Sequence, residues 1–204
     1  MQFRRGFKTE ANDIGRQIRK ELRLRSTDPL DPRRLAEHLG ISIMPVSAMK
    51  EIPDVVRYFT RRNTGEFSAV TVFDGTERLI VYNDAHSLGR QASDLAHELA
   101  HALLFHEPRP ALDSSGCRDW DEESEREADW LGAALLVSEE AALEIAEKGL
   151  DPSTAARLYG CSDKIIRMRL NVTGAYTRLE RARRYSSRFT KSRPRTAPRG
   201  PNRI

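Results

Sequence analysis

His97-Glu98-Leu99-Ala100-His101 constrains this chain more than any other stretch. Residues four apart on a helix stand on one face, one turn from each other. Two imidazoles so placed can share a tetrahedral Zn²⁺, while Glu98, offset by one position, can touch a metal-bound water without ligating the metal. Such a site needs a rigid helix, because its ligand atoms tolerate only small displacements. The flanks supply one. Leu88, Ala92, Leu95, Leu99 and Leu103 recur at steps of three or four, with no proline or internal glycine from Arg90 to His106. One stripe is expected to enter a core while His97 and His101 look into a cleft, with Pro108 and Pro110 ending the helix.

Three protein ligands would leave a fourth position for water, which is the mark of a catalytic zinc site. His38, His86 and His106 are the other histidines, and no His-x-x-Gly-x-x-His extension follows His101. A carboxylate is therefore the better third ligand. The run from Asp121 to Asp129 offers several, on a helix expected from Glu122 to Val137 with Ala128, Leu131, Ala134 and Leu135 on its apolar face. Glu125 and Asp129, four apart, suit a ligand and a carboxylate that orients one histidine through its other ring nitrogen. An acidic run also fits a solvated helix start, where negative charge complements the macrodipole. Composition alone does not choose among Glu122, Glu123, Glu125 and Glu127.

Ser87 to Phe105, with Glu125-Arg126-Glu127-Ala128-Asp129-Trp130-Leu131 running into Leu135-Leu136-Val137, resembles the ImmA/IrrE family of metallo-endopeptidases. Phe7 to Asn12 and Leu30 to Gly40 resemble the same family's N-terminal part, so the likeness covers roughly residues 7 to 180. By position, the resemblance implies His97, His101 and Glu125 as zinc ligands and Glu98 as catalytic base. The family commonly has Asn where Asp129 stands and Pro where Ser138 stands, and neither departure touches a ligand. The resemblance also implies an α+β, zincin-like (minimal gluzincin-type) fold, in which a small antiparallel or mixed sheet packs on the metal helix and further helices follow. Its implied substrate is a helix-turn-helix repressor of the Xre type, whose cleavage relieves repression.

The chain's 204 residues suffice for one domain with a proper core. No apolar run approaches the ~20 residues of a membrane span, and the polar start is unlike a signal peptide. Cys117 and Cys161 are too few for a disulfide framework, so free thiols and a cytoplasmic setting are expected. Residues 181–204 hold nine Lys/Arg and no acid, leaving the rest of the chain at −5. That tail is expected to be disordered. It can attract nucleic acid without specificity, but a solubilising role is favoured.

Thr9 is a candidate cap for a first helix with Ala11, Ile14, Ile18 and Leu22 on one face. Asp31-Pro32 opens a second helix that Gly40 closes, and Ile41–Val46 reads as a strand. Ser68–Phe73 and Arg78–Tyr82 form the clearest hairpin, joined by Asp74-Gly75-Thr76-Glu77. Leu79–Tyr82 is the strand expected at the cleft wall, where an extended substrate could pair. Ser138 should cap a helix to Lys148, completing a metallopeptidase domain over 1–150. Residues 151–180 read as a helical extension packed on it. Residues 152–170 have a helix-turn-helix cadence with Lys164, Arg167 and Arg169 on the second helix. Most such helix pairs bind nothing, so DNA binding is not favoured.

The function expected is a zinc endopeptidase in which Glu98 takes a proton from water and passes it to the leaving amine. Tyr82, His106 and Tyr176 are candidate oxyanion donors. The alternative is a DNA-binding or repressor-binding regulator with a non-catalytic zinc site. Glu98 argues against it, since a structural site has no use for that carboxylate.

Overall fold

The computed structural model describes residues 3–51, 53–58, 67–107 and 121–191. Helix α1 (Phe7–Glu21) leads to α2 (Pro32–His38), strand β1 (Ser42–Pro45), the short α3 (Pro53–Arg57), β2 (Ala69–Asp74) and β3 (Glu77–Tyr82). Then come α4 (Leu88–Leu103), α5 (Glu122–Leu136), α6 (Glu139–Lys148), α7 (Pro152–Tyr159), α8 (Asp163–Val172) and α9 (Ala175–Lys191).

Helix α1 begins before Thr9. Gly6, at φ 88°, turns the chain into the helix, and the buried Phe7 opens it without a side-chain cap. Burial of that ring, rather than a hydroxyl cap, sets the helix start. Helix α2 matches its sequence signals: Asp31 accepts from the Arg33 N–H, Pro32 fills the first turn, and the Ile41 N–H returns to the Ala36 carbonyl. Ser138 and Asp151 likewise cap α6 and α7.

The sheet order is β1-β3-β2. Strands β2 and β3 form an antiparallel hairpin with Thr71 opposite Ile80, and β1 runs parallel to β3 with Ile43 opposite Ile80. The fold is α+β with a small mixed sheet, as expected. Strand β3, with Ile80, Val81 and Tyr82 buried, lies at the centre. Among the described residues β2 is an edge of the sheet beside α4, while β3, the strand expected near the cleft wall, packs on α4 as well but as the central strand. The most buried strand is the middle one, where both of its neighbours cover it.

Two apolar clusters flank α4 and α5. The first joins Phe7, Leu35 and Ile80 to Leu95 and Leu99 of α4 and Leu131 and Leu135 of α5. The second joins Ala92 and Ala96 of α4 to Leu136, Val137, Ile145, Ala155, Ile166 and Leu170. Each buried large side chain stabilises the fold by about 1.5–3 kcal/mol relative to exposure. Leu88 is not in the expected stripe; it is 75 % exposed, because a first-turn side chain leans back past the helix start.

Two buried arginines hold the carbonyl end of α5. Arg19 of α1 donates to the Leu135 carbonyl at 2.7 Å, and Arg169 of α8 donates to the Val137 carbonyl at 2.8 Å. Arg169 also lies 4.7 Å over the Trp130 ring. Burial pulls both guanidinium pKa values down to about 10, so both stay charged at neutral pH. Arg169 is thus no surface group for reading DNA, whereas Lys164 and Arg167 of the same helix are exposed. Helix α9 continues to Lys191, past the point where the sequence suggests a disordered tail, because Ala, Arg and Leu favour helix. Residues 192–204, Cys117, Pro108 and Pro110 lie outside the described residues.

Among the described residues, no helix is long and apolar enough to cross a membrane.

Candidate metal centre

Helix α4 buries Leu95, Leu99 and Ala100 on one side, which turns His97 and His101 toward α5. The two helices meet unusually closely at Gly132. A Cβ there would stand 3.1 Å from the Ala96 carbonyl and the His97 nitrogen. Glu125, seven residues earlier and so about 10 Å back along the axis, is brought over the two imidazoles. Asp121 starts α5 by accepting from the Glu123 N–H, leaving Glu125 in the first turn, where the helix dipole favours an anion.

The Nε2 atoms of His97 and His101 are 3.1 Å apart. Glu125 places Oε2 3.3 Å from the first and Oε1 3.7 Å from the second. Ligands about 2.0–2.1 Å from a tetrahedral zinc are roughly 3.3 Å from one another, so these three side chains fit a shared ion. Among the described residues, they form the group able to hold a metal.

Charge favours a cation at this place. Burial opposes a charged His97, yet the Asp129 and Glu125 carboxylates beside it, with the Glu98 charge, carry its pKa up to about 10. Burial and the neighbouring His97 cation push His101 down to about 4. Two imidazoles so close cannot both be cations, and the surrounding carboxylates stabilise a single positive charge.

The outward ring nitrogens are also engaged. His97 Nδ1 lies 3.0 Å from Asp129 Oδ1, and His101 Nδ1 lies 2.9 Å from His106 Nδ1. His106 is therefore behind His101, on the side away from the shared ligand space, and its expected place as an oxyanion donor is corrected. The reason lies in the backbone. Helix α4 ends at Leu103, ahead of Pro108, and Phe105 at φ 54° folds His106 back. Tyr82 is buried beneath the Arg33 guanidinium, and Tyr176 is exposed on α9, which packs on α6 and α8. Neither contacts the cluster.

Glu98 accepts a hydrogen bond from the Thr71 hydroxyl of β2 at 2.5 Å. The remaining acidic residues separate cleanly. Glu122 pairs with Arg126 at the surface, Glu123 is exposed, and Glu127 is buried beside Arg4 and His106. His38 pairs with Glu21, and His86 with Asp94.

Sequence reasoning missed Thr71 and Arg4, named Glu127 only as a possible ligand, and named His106 only among three possible oxyanion donors. A lone threonine in a strand carries no signal. Contact between His106 and His101 depends on a left-handed Phe105, which the residue type does not suggest. Gly132, in an otherwise apolar helix, was the one available hint of close helix packing.

Residues 36–171 match the family model Peptidase_M78, described as the IrrE N-terminal-like domain, in agreement with the ImmA/IrrE resemblance. No curated protein matches the chain.

Proposed function

Because the chain belongs to the Peptidase_M78 family, we propose that it is a zinc-dependent endopeptidase with a zincin-like active site. The observation that carries this reading is the convergence of His97 and His101 Nε2 with the Glu125 carboxylate at 3.1–3.7 Å, beside Glu98. His97, His101 and Glu125 would hold the ion. Zinc bound there would polarise the scissile carbonyl and make a water nucleophilic at neutral pH.

Glu98 is the base. Its carboxylate takes the proton of the attacking water and delivers it to the nitrogen of the departing amine. Thr71 restrains that carboxylate by donating to one of its oxygens. Thr71 is on β2, an edge strand among the described residues, so a substrate strand that pairs with β2 would be carried past Glu98. Asp129 fixes the His97 tautomer by accepting from Nδ1–H, which leaves Nε2 as the ligating lone pair.

The substrate we infer is a helix-turn-helix repressor of the Xre type, cut to relieve repression. Family resemblance supports that choice. Incubation of the zinc-loaded protein with the repressor encoded beside its gene should yield one discrete cut. Glu98→Gln should lower the rate about 10²–10⁴-fold while retaining zinc. Parent-like cleavage by Glu98→Gln would remove Glu98 from the mechanism. A stable, uncut complex formed by the parent protein would favour a binding regulator.

A further inference from the structure

The two histidines of the metal centre are supported in different ways. Behind His97 stands a carboxylate that is 73 % exposed, Asp129. Behind His101 stands a chain of three groups, the first two of them largely shielded from solvent. His106 Nδ1 is 2.9 Å from His101 Nδ1, and His106 Nε2 is 3.6 Å from Glu127 Oε2. Glu127 Oε1 is in turn 2.9 Å from Arg4 Nε. Side chains of His106 and Glu127 are 12 % and 7 % exposed.

We propose that His106, Glu127 and Arg4 act as a positioning relay that fixes the tautomer and ring orientation of His101 for metal binding. This rests on the metal-centre reading above. If His101 ligates through Nε2, its proton must be on Nδ1. That proton is donated to His106 Nδ1, which must therefore carry the lone pair. The His106 proton is then on Nε2 and faces Glu127. The separation of 3.6 Å exceeds a direct hydrogen bond, but the carboxylate still favours a proton on that side. Arg4 pairs with Glu127 in turn, and one set of tautomers suits the order of these groups.

The backbone is shaped for this contact. Phe105 adopts the left-handed conformation at φ 54°, which is unfavourable for a residue with a Cβ. Its own ring gains little, being 84 % exposed. What the turn achieves is the return of the His106 N–H to the His101 carbonyl at 3.1 Å and of the imidazole to the back of the His101 ring. Arg4 comes from outside the matched family region of 36–171, so the chain's first residues complete a support that the family domain alone would lack. Arg4 is anchored there by Glu10 and by the Phe7 ring.

Zinc affinity is the measurement, taken by competition with a chromophoric chelator on the full chain, with circular dichroism to monitor folding. His106→Leu should weaken zinc binding about 10- to 100-fold, the usual worth of a group that orients a ligand. His106→Gln, whose amide can accept from His101 and donate to Glu127, should recover most of that loss. Arg4→Met, at a half-exposed site that should not disturb folding, should cost about 3-fold or more. Cobalt bound to His106→Leu should show an altered visible spectrum. Parent-like affinity in folded His106→Leu would overturn the relay, as would a His106→Gln variant no better than His106→Leu. If His106→Leu fails to fold, unchanged affinity in Arg4→Met overturns it. A parent protein that binds no zinc would instead sink the metal-centre reading itself.

Discussion

Helix α4 meets two neighbours through glycines, and the two contacts serve different ends. At Gly132 of α5, a Cβ would stand 3.1 Å from the Ala96–His97 backbone, and the residues around the contact are His97, Glu125 and Asp129. At Gly89, the turn between α7 and α8 approaches so closely that a Cβ would stand 2.8 Å from the Cys161 carbonyl. The second contact belongs to an apolar cluster containing Ala92, Cys161 and Ile166. Both glycines allow backbones to approach without a Cβ between them. Only the first aligns lone pairs. A close helix contact becomes a site when the flanking residues bring ligand atoms, and is otherwise packing.

The sharpest way to break this distinction is to remove the carboxylate that the Gly132 contact delivers. Glu125→Ala should lower zinc affinity by more than the 10–100-fold typical of an orienting group. Glu122→Ala, three residues away on the exposed face, should change it by no more than about 2-fold. Equal effects, read by chelator competition, would mean that the acidic helix start as a whole attracts the ion.

Smaller effects come from filling the two contacts. Gly132→Ala and Gly89→Ala each gain about 1 kcal/mol of helix propensity and lose about 1–3 kcal/mol to overpacking. Urea unfolding should show both variants less stable. Gly132→Ala should also weaken zinc binding, because Glu125 moves relative to His97. Gly89→Ala should keep the parent affinity in its folded fraction. Loss of affinity in Gly89→Ala would erase the distinction between the contacts.

Cys161 reports on the second contact. Burial raises its thiol pKa from the ordinary 9 to about 12. A thiol held neutral in the fold contributes stability that is complete below pH 9 and is lost as pH rises through 9 to 12, where the unfolded thiol ionises first. Iodoacetamide at pH 8, with mass-spectrometric readout at this residue, should label native Cys161 far more slowly than unfolded Cys161. Gly89→Ala should speed that labelling, and Gly132→Ala should affect it less.

The smallest effect expected is none. Lys164→Glu with Arg167→Glu reverses two exposed charges on α8, and repressor cleavage should stay within about 2-fold of the parent rate. A large loss would give α7–α8 a part in binding the partner.

What could be read from the sequence follows the same division. His97, Glu98 and His101 were legible because helical periodicity alone places two imidazoles together. Caps at Asp31 and Ser138 were legible because each works within three residues of itself. Local rules failed wherever a partner came from far along the chain. Arg169 resembled a surface residue of a DNA-reading helix until Val137 and Trp130 covered it. Likewise, the central place of β3 could not be read from its own residues, because β1 pairs with it from far back along the chain. Among four acidic residues in six positions, only the meeting of α5 with α4 separated Glu125 from Glu127.

The guanidinium groups of Arg19 and Arg169 reach the far end of α5 from opposite sides, one from the first helix and one from the eighth. A fragment stopped at residue 150 would lose Arg169 and strip the Val137 carbonyl of its donor. A fragment begun after α1 would do the same to Leu135. Either trimming loosens the rod whose other tip carries Glu125, about 15 Å away along its axis. The shortest piece able to keep the metal centre in register therefore runs from the first helix through the eighth.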